Sequence, residues 1–187
     1  GNCRIQTIDF WTLEMKKNFL KTAKEVINLE ISGLVRLKKN LNNSFNIAVN
    51  EIAKCQSKVI LCGVGKSGLI ANKIAATFSS VGTPAFFLSA SNSSHGDLGS
   101  ITKKDILILI SYSGETNELK NIIQFANRNK VLLIGIVSKK DSTLYNASDI
   151  KLLTPQVKES GGIVPTSSTS VQLALGDALA ISVMKQK

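Results

Sequence analysis

The sequence predicts an α/β fold, a doubly wound five-stranded parallel sheet with a long N-terminal helix. Three observations predict it. Short apolar runs alternate with segments of helical spacing from about residue 58 onward, the pattern of a parallel sheet covered by helices. Asp105 to Ser111 and Val131 to Val137 are apolar almost without a break, as strands buried on both faces must be. Val59-Ile-Leu-Cys-Gly-Val-Gly-Lys-Ser-Gly68 passes from such a run through a glycine turn into helical spacing at Ile70, Ile74 and Phe78, a strand–turn–helix unit.

The elements follow in order. Leu13, Leu20, Ile27, Leu34 and Leu41 recur every seven residues, with Ala23 and Leu37 on the same side. That is a long amphipathic helix, and Gly33 is where it could break. The stripe is longer than a compact sheet domain covers, so part of it is expected to face a second subunit. Ser44 is the expected cap of a second helix to about Lys54, with Ile47, Ala48 and Ile52 inward. Val59–Cys62, Pro84–Leu88, Asp105–Ser111, Val131–Val137 and Ile150–Leu153 are the predicted strands. Helices are predicted from the Gly63–Gly68 turn to about Val81, from the Ser111–Thr116 loop to about Lys130, at Leu144–Ala147, and from about Ser167 to Lys185. The whole of 1–187 reads as one domain, a helical arm over about 10–54 and a sheet portion over about 58–187.

Composition narrows the function classes. Of 187 residues, 43% are hydrophobic, which places the chain among globular proteins. The longest apolar run, Val131 to Val137, is too short to span a bilayer. The opening residues lack a charged-then-apolar export pattern, and a cytoplasmic location is expected. Three scattered cysteines and one histidine point to no disulfide framework and no metal centre. The net charge of +10 could suggest nucleic acid. However, much of it is spread around the first helix, in Lys16, Lys17, Lys21, Lys24, Arg36, Lys38 and Lys39, with no interleaved aromatics to stack on bases. A solvated helix surface is the expectation, and nucleic acid is not an expected partner.

In a doubly wound sheet the ligand sits outside the carboxyl ends of the strands. The loops there begin at Gly63, Ser89, Ser111, Ser138 and Thr154. Gly63-Val64-Gly65-Lys66 is too short for a Walker A loop. G-x-G-x-x-G matches at Gly63, Gly65 and Gly68, but the acidic partner of a dinucleotide fingerprint is missing. A helix start with Gly65, Lys66 and Ser67 still suits an anion. Ser111, Ser113 and Thr116 flank Gly114, and Thr166, Ser167 and Ser168 open the last helix. Two hydroxyl clusters with Lys66 at one sheet edge predict a small phosphorylated ligand; the plainer alternative is ordinary helix capping. Glu115 and Glu159 are the carboxylates of these loops, and His95 is the sole histidine, beside Asp97. Glu115 could equally complement a helix dipole, and Glu159 could pair with Lys158 on the surface. Either carboxylate, shielded beside a sugar carbonyl, could instead move a carbon-bound proton.

Gly65-Lys-Ser-Gly68, Ser111-Tyr-Ser-Gly-Glu-Thr116 and Pro165-Thr-Ser-Ser-Thr169 resemble the sugar isomerase (SIS) domain. His95-Gly-Asp-Leu-Gly99, with Gly176-Asp-Ala-Leu-Ala180, is similar to the arabinose 5-phosphate isomerase branch. The resemblance covers about residues 10–185. It implies a flavodoxin-like strand order, no cofactor, and a homotetramer with sites between subunits. The implied reaction interconverts D-ribulose 5-phosphate and D-arabinose 5-phosphate through an enediolate, ahead of 3-deoxy-D-manno-octulosonate (Kdo) and lipopolysaccharide synthesis. Lys66 would stabilise the oxyanion, Glu159 or Glu115 would carry the proton, and His95 would assist at the sugar hydroxyls or in ring opening. Gly65, Ser67, both hydroxyl clusters and their backbone N–H groups would bind substrate. Two features expected of that family are not found within residues 1–187, the CBS pair and the Ser-His-Pro-Gly-Gly segment whose histidine is given a catalytic role there, as expected of an excised domain or a short form. A non-catalytic sugar-phosphate-binding regulatory module is therefore the alternative expectation.

Overall fold

The computed structural model describes residues 10–91, 93 and 96–187, with side chains described from residue 18 onward. The long helix is α1, Phe10–Asn40, and it runs without a break. Gly33 does not interrupt it because it serves packing: a Cβ there would lie 3.0 Å from Val171 and 3.2 Å from Val157. Helix α2 is Asn43–Lys54, and its cap is Asn42, whose side chain accepts from the Ser44 N–H; Ser44 is itself inside the helix. Ala48 and Ile52 are buried as expected, together with Val49, but Ile47 is 46% exposed. Val49 thus takes the inward place expected of Ile47.

The sheet portion then runs β1 (Val59–Gly63), α3 (Gly65–Ser80), β2 (Ala85–Phe87), β3 (Ile106–Ser111), α4 (Lys120–Arg128), β4 (Leu132–Val137), α5 (Thr143–Ala147), β5 (Ile150–Leu153) and α6 (Ser167–Gln186). A short 3-10 turn at Asn117–Leu119 stands before α4. All strand pairs are parallel, in the order β2-β1-β3-β4-β5. From β1 the chain winds outward to β2 and then returns to β3 on the other side, so the crevice above β1 and β3 is the topological switch point.

Alternation along the strands builds two cores. Ile106, Ile108 and Ile110 of β3 join Val59 and Leu61 of β1 in a core closed by α2, α3 and α6. Leu107 and Leu109 join Ile60 and Cys62 in a second core, closed by α4 and α5. Helix α1 rests on α6 and buries Leu37, but Leu20, Ile27, Leu34 and Leu41 are between 36% and 66% exposed. Phe19, Ile31 and Val35 are exposed beside them. Leu13 lies outside the described side chains.

At the amino ends of β1 and β3 a buried carboxylate ties the sheet together. Asp105 accepts from the Ser57 hydroxyl (2.5 Å), the Thr102 N–H (2.8 Å), the Lys58 ammonium (2.9 Å) and the Lys58 N–H (3.3 Å). Burial opposes its ionisation, but the donors from Ser57, Thr102 and Lys58 outweigh that and bring the carboxyl down to about 2.

Candidate active site

The site begins where β1 hands over to α3. Gly65 has a φ of +60°, a region open to glycine at little cost. Gly63 and Gly68 are in near contact, since a Cβ on Gly68 would come within 2.7 Å of the Gly63 carbonyl oxygen. Val64 occupies the cap position of α3 and supplies no side-chain acceptor. The N–H groups of its first turn are thus left to a ligand or water. Lys66 is exposed in that turn, while the Ser67 hydroxyl donates to Oε1 of the buried Gln172 at 3.2 Å, tying α3 to α6. A cleft of about 310 Å³ opens here, lined by Gly65, Leu69, Asn72, Ser89, Ser91 and Glu118 among others. Below it, burial pushes the Cys62 thiol up to about 12, against a smaller opposing hydrogen bond from the Gly63 backbone. Cys62 stays a thiol at neutral pH and offers no nucleophile.

The loop after β3 is folded by its own hydroxyls. Ser111 Oγ accepts from the Gly114 N–H at 3.0 Å and lies 2.8 Å from Thr116 Oγ1, while Ser113 Oγ accepts from the Glu115 N–H at 3.2 Å. Gly114 has a φ of +70°. The Glu115 carboxylate is drawn out of the loop to the start of α5, where it accepts from the Thr143 N–H (2.8 Å) and hydroxyl (2.6 Å). Those two bonds, hydroxyl first, hold its pKa below the usual value.

The third part is the segment between β5 and α6. Glu159 does not pair with Lys158; no salt bridge of Glu159 occurs among the described residues. Its carboxylate instead sits on the start of α6, accepting from the Ser168 N–H (2.8 Å), the Ser168 hydroxyl (2.7 Å) and the Thr166 N–H (3.3 Å). Thr166 Oγ1 accepts from the Ser160 N–H at 3.1 Å. Ser160 Oγ and Ser167 Oγ are buried without a hydrogen-bond partner. Tyr112 fastens this segment to the β3 loop: its hydroxyl accepts from the Val157 N–H (3.0 Å) and donates to the Val157 carbonyl (3.3 Å). His95 lies outside the described residues. Among the described residues no group of three His, Cys, Asp or Glu side chains could hold a metal ion, and no helix is long and apolar enough to cross a membrane.

The described candidate residues therefore lie in the loops, strand ends and helix starts at the carboxyl edge of the sheet. Sequence reasoning did not single out Asn72, Glu118, Tyr112, Thr143 or Gln172. Tyr112, Thr143 and Gln172 act through partners distant in the chain, Asn72 and Glu118 line the cleft, and no local spacing marks any of them.

Residues 51–182 match the SIS domain family. The chain belongs to that family. Curated relatives include an arabinose 5-phosphate isomerase of Yersinia pestis, 45% identical over 172 residues, and one of Escherichia coli K12, 40% identical over the same length. In both cases the match covers 91% of this chain and 52% of the relative. The chain thus spans about half the length of the curated relatives it matches. Among solved structures, an E. coli CFT073 protein in complex with arabinose 5-phosphate is 34% identical, with a TM-score of 0.87, covering 91% of this chain and 92% of that one. The SIS fold is thereby matched over nearly the whole chain.

Proposed function

We propose that this SIS domain is an aldose–ketose isomerase interconverting D-ribulose 5-phosphate and D-arabinose 5-phosphate. The observation that carries the reading is the match, over nine-tenths of both chains, to the E. coli protein solved with arabinose 5-phosphate. The product would feed Kdo and lipopolysaccharide synthesis. No cofactor is needed, because the reaction only relocates protons. A carboxylate takes the proton from C1 of the ketose, the C1–C2 double bond forms, and negative charge collects on the C2 oxygen. Lys66 is suited to face that charge. The proton then returns at C2, the C1 oxygen becomes the aldehyde oxygen, and its own proton passes to the C2 oxygen. His95 would serve the hydroxyl protons and ring opening.

Of the two carboxylates, Glu159 is the better base. Glu115 is drawn out of its loop to the start of α5, and the bonds from Thr143 that hold its pKa below the usual value make it the weaker base. Gly65 and the first turn of α3, with Ser111, Ser113 and Thr116, would hold the substrate. The reading also carries a cytoplasmic homotetramer, supported by the exposed apolar stripe from Leu20 to Leu41. Light scattering checks the assembly: a monomer at micromolar concentration would overturn it. Turnover of ribulose 5-phosphate, with solvent-deuterium exchange at C2 of arabinose 5-phosphate, tests the activity. Exchange in the parent and its loss in Lys66→Ala is the expected result; binding without exchange would make the chain a sensor instead.

A further inference from the structure

The two serine-rich loops carry opposite arrangements of the same groups. At the start of α6 the donors are already taken by a protein carboxylate, because Glu159 receives the Thr166 N–H, the Ser168 N–H and the Ser168 hydroxyl. At the β3 loop the neighbouring carboxylate, Glu115, is pulled away onto α5 and leaves the loop to another anion. A helix start satisfied by one anion is a poor place for a second, since like charges in contact repel strongly where water is scarce.

We infer that Ser168 is a positioning residue for Glu159, one that orients the base and takes no part in holding the phosphate. This rests on the isomerase reading. Ser168 is buried and grips both carboxylate oxygens, its N–H on Oε1 and its hydroxyl on Oε2. Two bonds from one residue fix the plane of the carboxylate, which a single bond would leave free to rotate. A carboxylate offers about four lone-pair directions. Three are filled by Thr166 and Ser168, and the remaining one is what a carbon-bound proton requires. The chain supplies a fixed acceptor rather than a mobile side chain, and a misplaced base of this kind is costly, with ~10²-fold lost for a displacement of about 1 Å.

The test separates affinity from turnover. Arabinose 5-phosphate binding is measured by calorimetry and C2 exchange is measured at saturation for the parent, Ser168→Ala, Ser168→Thr and Ser113→Ala. Ser168→Ala should bind within about threefold of the parent and exchange ~10–100-fold more slowly, and Ser168→Thr, which restores the hydroxyl, should recover most of the rate. Ser113→Ala should show the converse, weaker binding by about tenfold. The inference is overturned if Ser168→Ala weakens binding as Ser113→Ala does, or if it lowers only the melting temperature and leaves exchange intact. If Ser168→Ala does not fold, Ser168→Thr decides, because weakened binding at an unchanged saturated rate would place the phosphate on α6. A parent that binds without exchange ends the isomerase reading, and the affinity comparison still decides whether Ser168 holds the phosphate.

Discussion

The two edges of the sheet use the same chemical group for different ends. At the amino edge, Asp105 is surrounded by donors from Ser57, Lys58 and Thr102 and has no exposed face, so its charge is wholly spent on joining β1 to β3. At the carboxyl edge, Glu159 is held by three donors but lies in a loop beside two buried hydroxyls that have no partner. Unpaired buried hydroxyls are expensive, at about 1–3 kcal/mol each. Among the described residues that cost is tolerated at this edge only, which is where a ligand could repay it. The contrast teaches that satisfaction of the surrounding polar groups, more than the carboxylate itself, distinguishes the two edges.

The sharpest way to break the comparison is to neutralise both carboxylates in turn. Glu159→Gln should lower saturated turnover by ~10²–10⁴-fold with little change in melting temperature; isomerase kinetics and a thermal melt read the two quantities separately. Asp105→Asn should do the opposite. It leaves the Lys58 ammonium facing an amide and should cost about 2–3 kcal/mol of stability in urea titration, with turnover per folded molecule unchanged. An Asp105→Asn protein that melts normally would show that the amino edge is not the anchor.

Acid sharpens the same point without mutation. The Asp105 carboxyl is lowered in the folded state, so its contribution is fully present above the ordinary carboxylate pKa near 3.8 and is lost as pH falls towards about 2. On the order of 2 kcal/mol should disappear across that window, and the loss should be absent from Asp105→Asn when unfolding is followed by circular dichroism. Glu115→Gln should have the smallest effect, a slight loosening of α5 and less than a ~10-fold change in turnover, well short of Glu159→Gln.

Much of this was legible in the sequence, for identifiable reasons. The five strands announced themselves because parallel strands are apolar on both faces, and Lys66 with its glycines stood out because a tight strand–helix turn restricts residue choice. What hid was whatever depends on a remote partner. Gly33 looks like a helix breaker in isolation, and only Val157 and Val171 reveal it as a contact point. Ser44 looked like a cap because its preference is generic, while Asn42 is the residue whose side chain reaches the free N–H. Ile47 fitted helical spacing but falls on the solvent side of α2. Glu159 stood out as a candidate proton carrier, but its grip on α6 did not, since nothing in Lys158-Glu159 announces the start of a helix several residues on. Asp105 read merely as the first residue of a strand, because its partners Ser57 and Lys58 are nearly fifty positions away.

The paired hydrogen bonds between the Tyr112 hydroxyl and the Val157 backbone have a consequence for timing. They fasten the loop after β3 to the segment that delivers Glu159, across 45 positions of chain. Neither piece can swing outward alone while both bonds hold, so any opening of the two segments is one motion. Relaxation experiments on the two segments should return one rate constant rather than two, and removing the hydroxyl would let each keep its own clock.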